Sequence, residues 1–266
     1  MRGGRWLWWV VVLAGCGGPP VRYGSVGECA AVTAPSPGER VPACISTAEG
    51  VMPVEAVYVA GVVQCELAPL TDADAALEAQ AITARTYLAR FLERKGFDAV
   101  VPIGPHFQCW KPPKHPRASA AALHTAGTVL QVGDGSLLDA NYVSGARRLS
   151  IDCHPLPPSD QGYSGYASWD EMRAEYVKRR RARSRARFGG VSWTEVVVTR
   201  NEGKRGPAVV PTPMAPARGT NRGAFGQYAS VCLAENLGYE TGDILRFFYG
   251  DDIGFSRELV PVEGVE

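Results

Sequence analysis

The chain has 266 residues, a formal net charge of +1 and a hydrophobic fraction of 45%. That length supports one substantial core or two modest ones, and near-neutral charge gives no electrostatic case for nucleic acid as a partner. Thirty Gly and twenty Pro call for many turns and irregular connections, which excludes a simple helical bundle.

Arg2 and Arg5 flank an apolar run from Trp6 to Ala14 that is too short to span a bilayer comfortably. It ends in Leu13-Ala14-Gly15-Cys16, which resembles a bacterial lipobox. The resemblance implies a signal peptide over 1–15, lipid on Cys16 and a membrane-anchored tether over 16–50; a plain secretory signal is the alternative. Several acyl chains anchor stably where one binds only marginally. Gly17 stands where an inner-membrane retention signal would place Asp, so the expected location is extracytoplasmic, on the periplasmic face of the outer membrane in a two-membrane cell.

Export changes the cysteine arithmetic. Setting Cys16 aside leaves Cys29, Cys44, Cys65, Cys109, Cys153 and Cys232, an even set that suggests disulfides in an oxidising compartment. Cys29 with Cys44 is the favoured local loop.

The tether is expected to become ordered near Cys29–Cys44, and a helical pair follows from about residue 51. Val54, Val57, Tyr58, Gly61 and Val62 recur at helical spacing, although so many valines would also suit a strand. Cys65-Glu66-Leu67-Ala68-Pro69 follows, and Pro69 cannot continue a helix. A second helix is predicted over 73–95. Thr71 or Asp72 is its N-cap, Asp74 lies in the first turn, Arg94 and Lys95 in the last, and Gly96 is the stop. Its apolar stripe is partly Ala, which admits a close neighbour and marks a core helix.

Residues 97–123 are irregular, and Thr128 to Val143 reads as a hairpin turning at Gly133-Asp134-Gly135. Trp169, Met172 and Tyr176 have helical spacing and run into Lys178 to Arg187, a stretch rich in Arg. That run invites an anionic polymer or headgroups, or it is a solvated helix end whose cations suit the C-terminal dipole. Val191 to Thr199 reads as a strand, 200–222 as a loop, Gln227 to Leu237 as a helix stopped by Gly238, and Ile244 to Tyr249 as a last helix.

Three segments carry a resemblance. Tyr58-Val59-Ala60-Gly61-Val62-Val63-Gln64-Cys65-Glu66-Leu67, followed by Leu77-Glu78-Ala79-Gln80-Ala81-Ile82-Thr83-Ala84-Arg85-Thr86-Tyr87, resembles the SpoIID/LytB signature, roughly YVAGVV-x-x-EMP then LKAQAVAARTYA. Thr125 to Leu130 with Asp139 to Gly145 is similar to the family hairpin. Gly223 to Tyr228 with Ile244 to Gly250 is similar to its C-terminal block, G-x-SQYGA then IL-x-x-YYPG. The first match is specific; the other two are weak alone.

The resemblance implies an α+β, loop-rich SpoIID-like domain over 51–255, with a core helical pair, β-hairpins and a basic insert at about 169–222, then a tail over 256–266. It also implies a peptidoglycan-directed role: lytic transglycosylase cleavage of peptide-free glycan, or a non-catalytic wall-binding or amidase-enhancing module. Glycan strands, a cell-wall amidase and a membrane held through the lipid are the implied partners, and nucleic acid is not among them. Cleavage needs one acid that protonates the glycosidic oxygen and then takes the muramyl C6 hydroxyl proton. Glu66 matches the family's catalytic Glu, and its flank of Val62, Val63 and Leu67 suits a partly desolvated acid.

Arg85, Gln80, Tyr87, Gln227 and Tyr228 form the candidate substrate-binding set. A helical projection puts Gln80 and Tyr87 on one flank of the stripe and Arg85 with Glu78 on the other. Arg85 is assigned to the carboxylate or sugar and Gln80 with Tyr87 to packing, with the reversed assignment open. The chain departs from the family at Glu78, usually Lys, at Gly226, usually Ser, and at Thr220 to Phe225, where GHG-x-G-M is usual. Some members hold zinc near the loop after the hairpin. Here the alternative ligand set is Cys109, Cys153 and His154, against a favoured Cys109–Cys153 disulfide with no cofactor; the site after Tyr142 is Val143, not His. Cys65 reads as a structural thiol, with Cys232 as its candidate mate.

Overall fold

A computed structural model of the chain describes residues 38–104, 107–181 and 193–257, with 29, 31–32 and 34–36 ahead of them. The leader, Cys16, His106, residues 182–187 of the basic run and the tail beyond 257 lie outside the described residues.

One helix organises the rest. α1 (Ala60–Glu66) leads into α2 (Asp74–Lys95), which is about 33 Å long at 1.5 Å per residue. Every residue of α2 from Ala76 to Thr86 is buried. Its alanines leave a narrow cylinder that neighbours can approach on all sides, and a helix covered all round belongs in a core. α1 and α3 (Pro116–His124) pack on one side, α5 (Gln227–Leu237) and α6 (Thr241–Tyr249) on the other. Two apolar clusters result. One contains Ile45, Tyr58, Val62, Leu77 and Leu88; the other contains Ile82, Phe225, Leu233, Ile244 and Phe248.

Such a helix must give each buried polar group a partner. Glu78, 8% exposed, meets His124 Nδ1 at 2.7 Å and accepts from the Thr241 hydroxyl at 2.6 Å. The acid that stands in place of Lys therefore joins α2 to α3 and α6. Thr86 donates to the Ile82 carbonyl and accepts from the Leu130 N–H.

The strands are short and pair in twos. β1 (Cys44–Thr47) and β2 (Gly50–Pro53) form an antiparallel hairpin. β3 (Leu130–Gln131) pairs antiparallel with β6 (Gly254–Phe255). β4 (Asn141–Val143) runs parallel to β5 (Ala224–Gly226), with Tyr142 opposite Phe225. The fold is α+β. Between β5 and α5 the chain changes from strand to helix at Gln227. α4 (Trp169–Arg181) forms a smaller cluster with Tyr163, Val196 and Val197.

Several expectations need correction. The irregular stretch expected over 97–123 contains α3 at Pro116–His124, whereas the valine-rich stripe is helical as favoured, π-helical over Val54–Val59 and continuing into α1. The hairpin turn at Gly133-Asp134-Gly135 forms, but the ladder is minimal, because β3 and β4 are each drawn to distant partners. The strand expected over 191–199 contains a 3-10 turn at Trp193–Val196; adjacent Val196 and Val197 are both buried, which an alternating strand face does not allow. β1 lies inside the stretch assigned to the tether, in the part expected to be ordered near Cys29–Cys44, and its Ile45 is fully buried. Cys29–Cys44 is bonded as expected, but the other pairs are Cys65–Cys109 and Cys153–Cys232. Spacing favours the short Cys29–Cys44 loop but carries no information on which distant loops meet.

Candidate active site

Glu66 is the last residue of α1. The segment 108–111 lies along that helix and fixes the Glu66 side chain. Lys111 N–H donates to the Gly61 carbonyl at 3.2 Å, and the Trp110 indole N–H to the Val57 carbonyl at 3.1 Å. Gly61 permits this approach: a Cβ there would overlap the Trp110 indole and lie 2.6 Å from the Lys111 oxygen. Cys109 N–H then donates to Glu66 Oε1 at 2.8 Å, and the Cys65–Cys109 disulfide ties the two segments covalently at the same place.

The second oxygen is held from the other half of the fold. Gln227, placed at the start of α5 by the β4–β5 pairing, donates from Nε2 to Glu66 Oε2 at 3.0 Å. The same nitrogen is 3.4 Å from Gln80 Oε1, and Gln80 is 0% exposed. Gln80 thus stands behind Gln227, and its own Nε2 has no hydrogen-bond partner among the described residues.

Gln108 braces the adjoining wall. Its Oε1 accepts from the Tyr58 hydroxyl at 2.7 Å, and its Nε2 donates to Tyr142 Oη at 3.1 Å and to the Ala84 carbonyl at 3.2 Å. Burial pushes the Tyr58 hydroxyl well up, with smaller contributions from Tyr87 and Glu66. Burial also raises Tyr142, and the Glu66 charge adds to it against the opposing Gln108 bond. Both phenols therefore stay protonated around the carboxylate.

The structure brings Glu66, Gln227 and Gln80 together and separates Arg85 from them. Arg85 is fully buried and faces Glu55, with Nη2 at 2.6 Å from Oε2 and Nε at 2.9 Å from Oε1. Its remaining donors go to the Ala122 and Thr128 carbonyls and to the Thr125 hydroxyl. The assignment of Arg85 to the catalytic carboxylate or sugar is corrected: it is a structural cation. The projection separates two flanks of α2, but only the packing of α3 on one and α5 on the other decides which flank meets Glu66.

Tyr87 lies edge-on to Phe107 and Tyr142, with ring centroids at 5.0 and 6.2 Å. Tyr228 receives the Arg147 guanidinium over its ring at 5.7 Å. Cys109 and Cys153 sit in separate disulfides and His154 contacts Arg200, so the alternative zinc set is not assembled. No cluster of three His, Cys, Asp or Glu suited to a metal occurs among the described residues.

Sequence reasoning passed over Tyr58, Tyr142, Gln108 and the Cys109 N–H. The two tyrosines stood inside the quoted motifs; Gln108 carried no signal beyond its neighbour Cys109.

The Glu66 carboxylate is thus held at one oxygen by a backbone N–H and at the other by a side-chain amide, with Gln108 bonded to the Tyr58 and Tyr142 hydroxyls. Residues 47–131 match the model of the SpoIID family, stage II sporulation protein, and this similarity suggests a cell-wall-related function. No curated protein matches the chain. The matched span contains Glu66, α2 and the 108–111 brace; Gln227 lies outside it and arrives through tertiary packing.

Proposed function

We propose that the protein is a lytic transglycosylase of peptide-free glycan, with Glu66 as its acid and base. The observation that supports this most is the Glu66 carboxylate itself, held by Cys109 and Gln227 with no cation among its hydrogen-bond and ion-pair partners in the described residues. Protonated Glu66 gives its proton to the glycosidic oxygen as the C–O bond to the muramyl anomeric carbon breaks. The carboxylate then takes the proton of the muramyl C6 hydroxyl, whose oxygen bonds to that carbon and closes a 1,6-anhydro ring. The acid is regenerated and water is not consumed, so no second carboxylate is needed, unlike ordinary glycoside hydrolysis. Gln227 and the Cys109 N–H fix the oxygens for both transfers.

Incubating the full chain with peptide-free glycan should yield 1,6-anhydromuramyl ends by mass spectrometry, and Glu66→Gln should lower their rate by at least about 100-fold. No anhydro ends from the wild type, or an equal rate from the variant, refutes the assignment.

A second reading, a non-catalytic wall-binding or amidase-enhancing module, is favoured by Asn221. It stands in the segment where the family carries His, and its side chain is committed to the backbone of Thr212, Ala215 and Pro216. That reading requires glycan capture or amidase stimulation to survive Glu66→Gln.

Three disulfides support an oxidising, extracytoplasmic location. No helix among the described residues is long and apolar enough to cross a membrane, and a lipid on Cys16 is the proposed anchor.

A further inference from the structure

We propose that a cavity at the C-terminal end of α2, joined to the Glu66 site through the Phe107–Cys109 segment, is a subsite for the free lactyl carboxylate of a peptide-stripped glycan strand; this rests on the wall-glycan reading above. The cavity has a volume of about 240 Å³ and is lined by Tyr87, Phe91 and Phe107 together with four cations, Arg90, Arg94, Lys95 and Arg218, and one carboxylate, Asp139.

The cations are not accounted for by the helix alone. Arg94 and Lys95 suit the C-terminal dipole of α2, but Arg218 comes from a distant loop. That loop is held in place by Asn221, whose amide binds the Thr212, Ala215 and Pro216 carbonyls and whose N–H binds the Arg218 carbonyl at 3.0 Å. The residue that departs from the family pattern thus builds one wall of this cavity. Asp139 accepts from Arg90 Nε at 3.1 Å and from Arg94, which orients two guanidinium groups. Lys95 and Arg218 have no carboxylate partner among the described residues, which leaves positive charge facing the space.

The floor is aromatic. Tyr87 and Phe91 each meet Phe107 edge-on at 5.0 Å, presenting apolar surface of the kind that pyranose faces stack on. One short segment connects the acid to the cavity. Phe107 lines it, and Cys109, two residues along, holds Glu66; two residues span at most about 7 Å. Removing the stem peptide from a muramyl unit exposes one lactyl carboxylate, whereas a chitin-type strand has none. A cationic pocket over an aromatic floor distinguishes these two strands by charge.

The test compares binding of the full chain, carrying Glu66→Gln to prevent turnover, to three sugars by calorimetry. These are a peptide-free GlcNAc–MurNAc tetrasaccharide, the same sugar with its lactyl groups converted to methylamides, and chitotetraose. The acid form should bind at least about tenfold tighter than the other two, since one hydrogen-bonded charge contributes that much. The preference should fade between about 0.1 and 1 M salt and be lost in Lys95→Ala/Arg218→Ala, both exposed positions. Equal affinity for the three sugars overturns the subsite and leaves the wall-glycan reading intact. Binding of none overturns both.

Discussion

Arg85 shows how a motif residue can be essential without touching the chemistry. Its guanidinium is buried against Glu55, and the Gly127 N–H adds a further donor to that carboxylate at 3.0 Å. Removing one partner of a buried pair strands the other charge, so Arg85→Ala should cost about 3–5 kcal/mol in urea unfolding, with any loss of activity following loss of fold. Asp139 is a different case. Burial raises its carboxyl, but hydrogen bonds from Thr220 and Arg90 and the charges of Arg94 and Arg90 outweigh that and hold it below the usual carboxylate range. The folded state then binds the proton less readily than the unfolded chain. The stabilisation is complete above the ordinary Asp range and fades as pH falls through the lowered value. Unfolding midpoints measured from neutral to acid pH should show a shallower acid decline in Asp139→Asn than in the wild type.

At the scale of elements, α1 and the 108–111 segment work as one clamp. Gly61→Ala inserts a methyl group where the indole and a backbone oxygen already sit. The segment must shift, and overpacking of this kind costs about 1–3 kcal/mol. Because Cys109 N–H moves with it, the substitution should also lower anhydro-product formation when the chain is assayed well below its melting temperature. A melting temperature and a rate both equal to wild type would remove this role for Gly61. α1, α2, α5 and α6 were readable from stripe and stop residues: Gly96 and Gly238 end α2 and α5 where the sequence places them, although the N-cap of α2 is Ala73 and not the expected Thr71 or Asp72. The short strands were not readable, because two or three residues carry too little alternation and each pairs with a segment remote in the chain.

In the whole molecule, three disulfides join parts that the local sequence leaves independent. Cys153–Cys232 spans 79 residues and secures the loop after β4 to α5; Cys65–Cys109 spans 44 and secures the acid to its brace. Replacing either pair with Ser should cost about 2–5 kcal/mol in thermal or urea unfolding. The consequences for catalysis should differ. Cys65→Ser/Cys109→Ser should lower the rate on peptide-free glycan beyond what its stability loss explains, while Cys153→Ser/Cys232→Ser should change stability alone at temperatures where both remain folded. Equal rate losses would show that the first bond has no special part in holding Glu66.

Sequence by itself determined α1, α2, α4, α5 and α6 but not α3, together with the α+β class and the Cys29–Cys44 loop, and it singled out Glu66. Each of these depends on local spacing, capping or a contiguous motif, which a linear reading contains. Only the tertiary structure decided that Gln80 rather than Arg85 stands on the Glu66 side, that Gln227 and Cys109 grip the carboxylate, and which cysteines pair. These outcomes depend on which distant segment covers each face of α2, and residues far apart in the chain leave no periodic trace of the surfaces they will share.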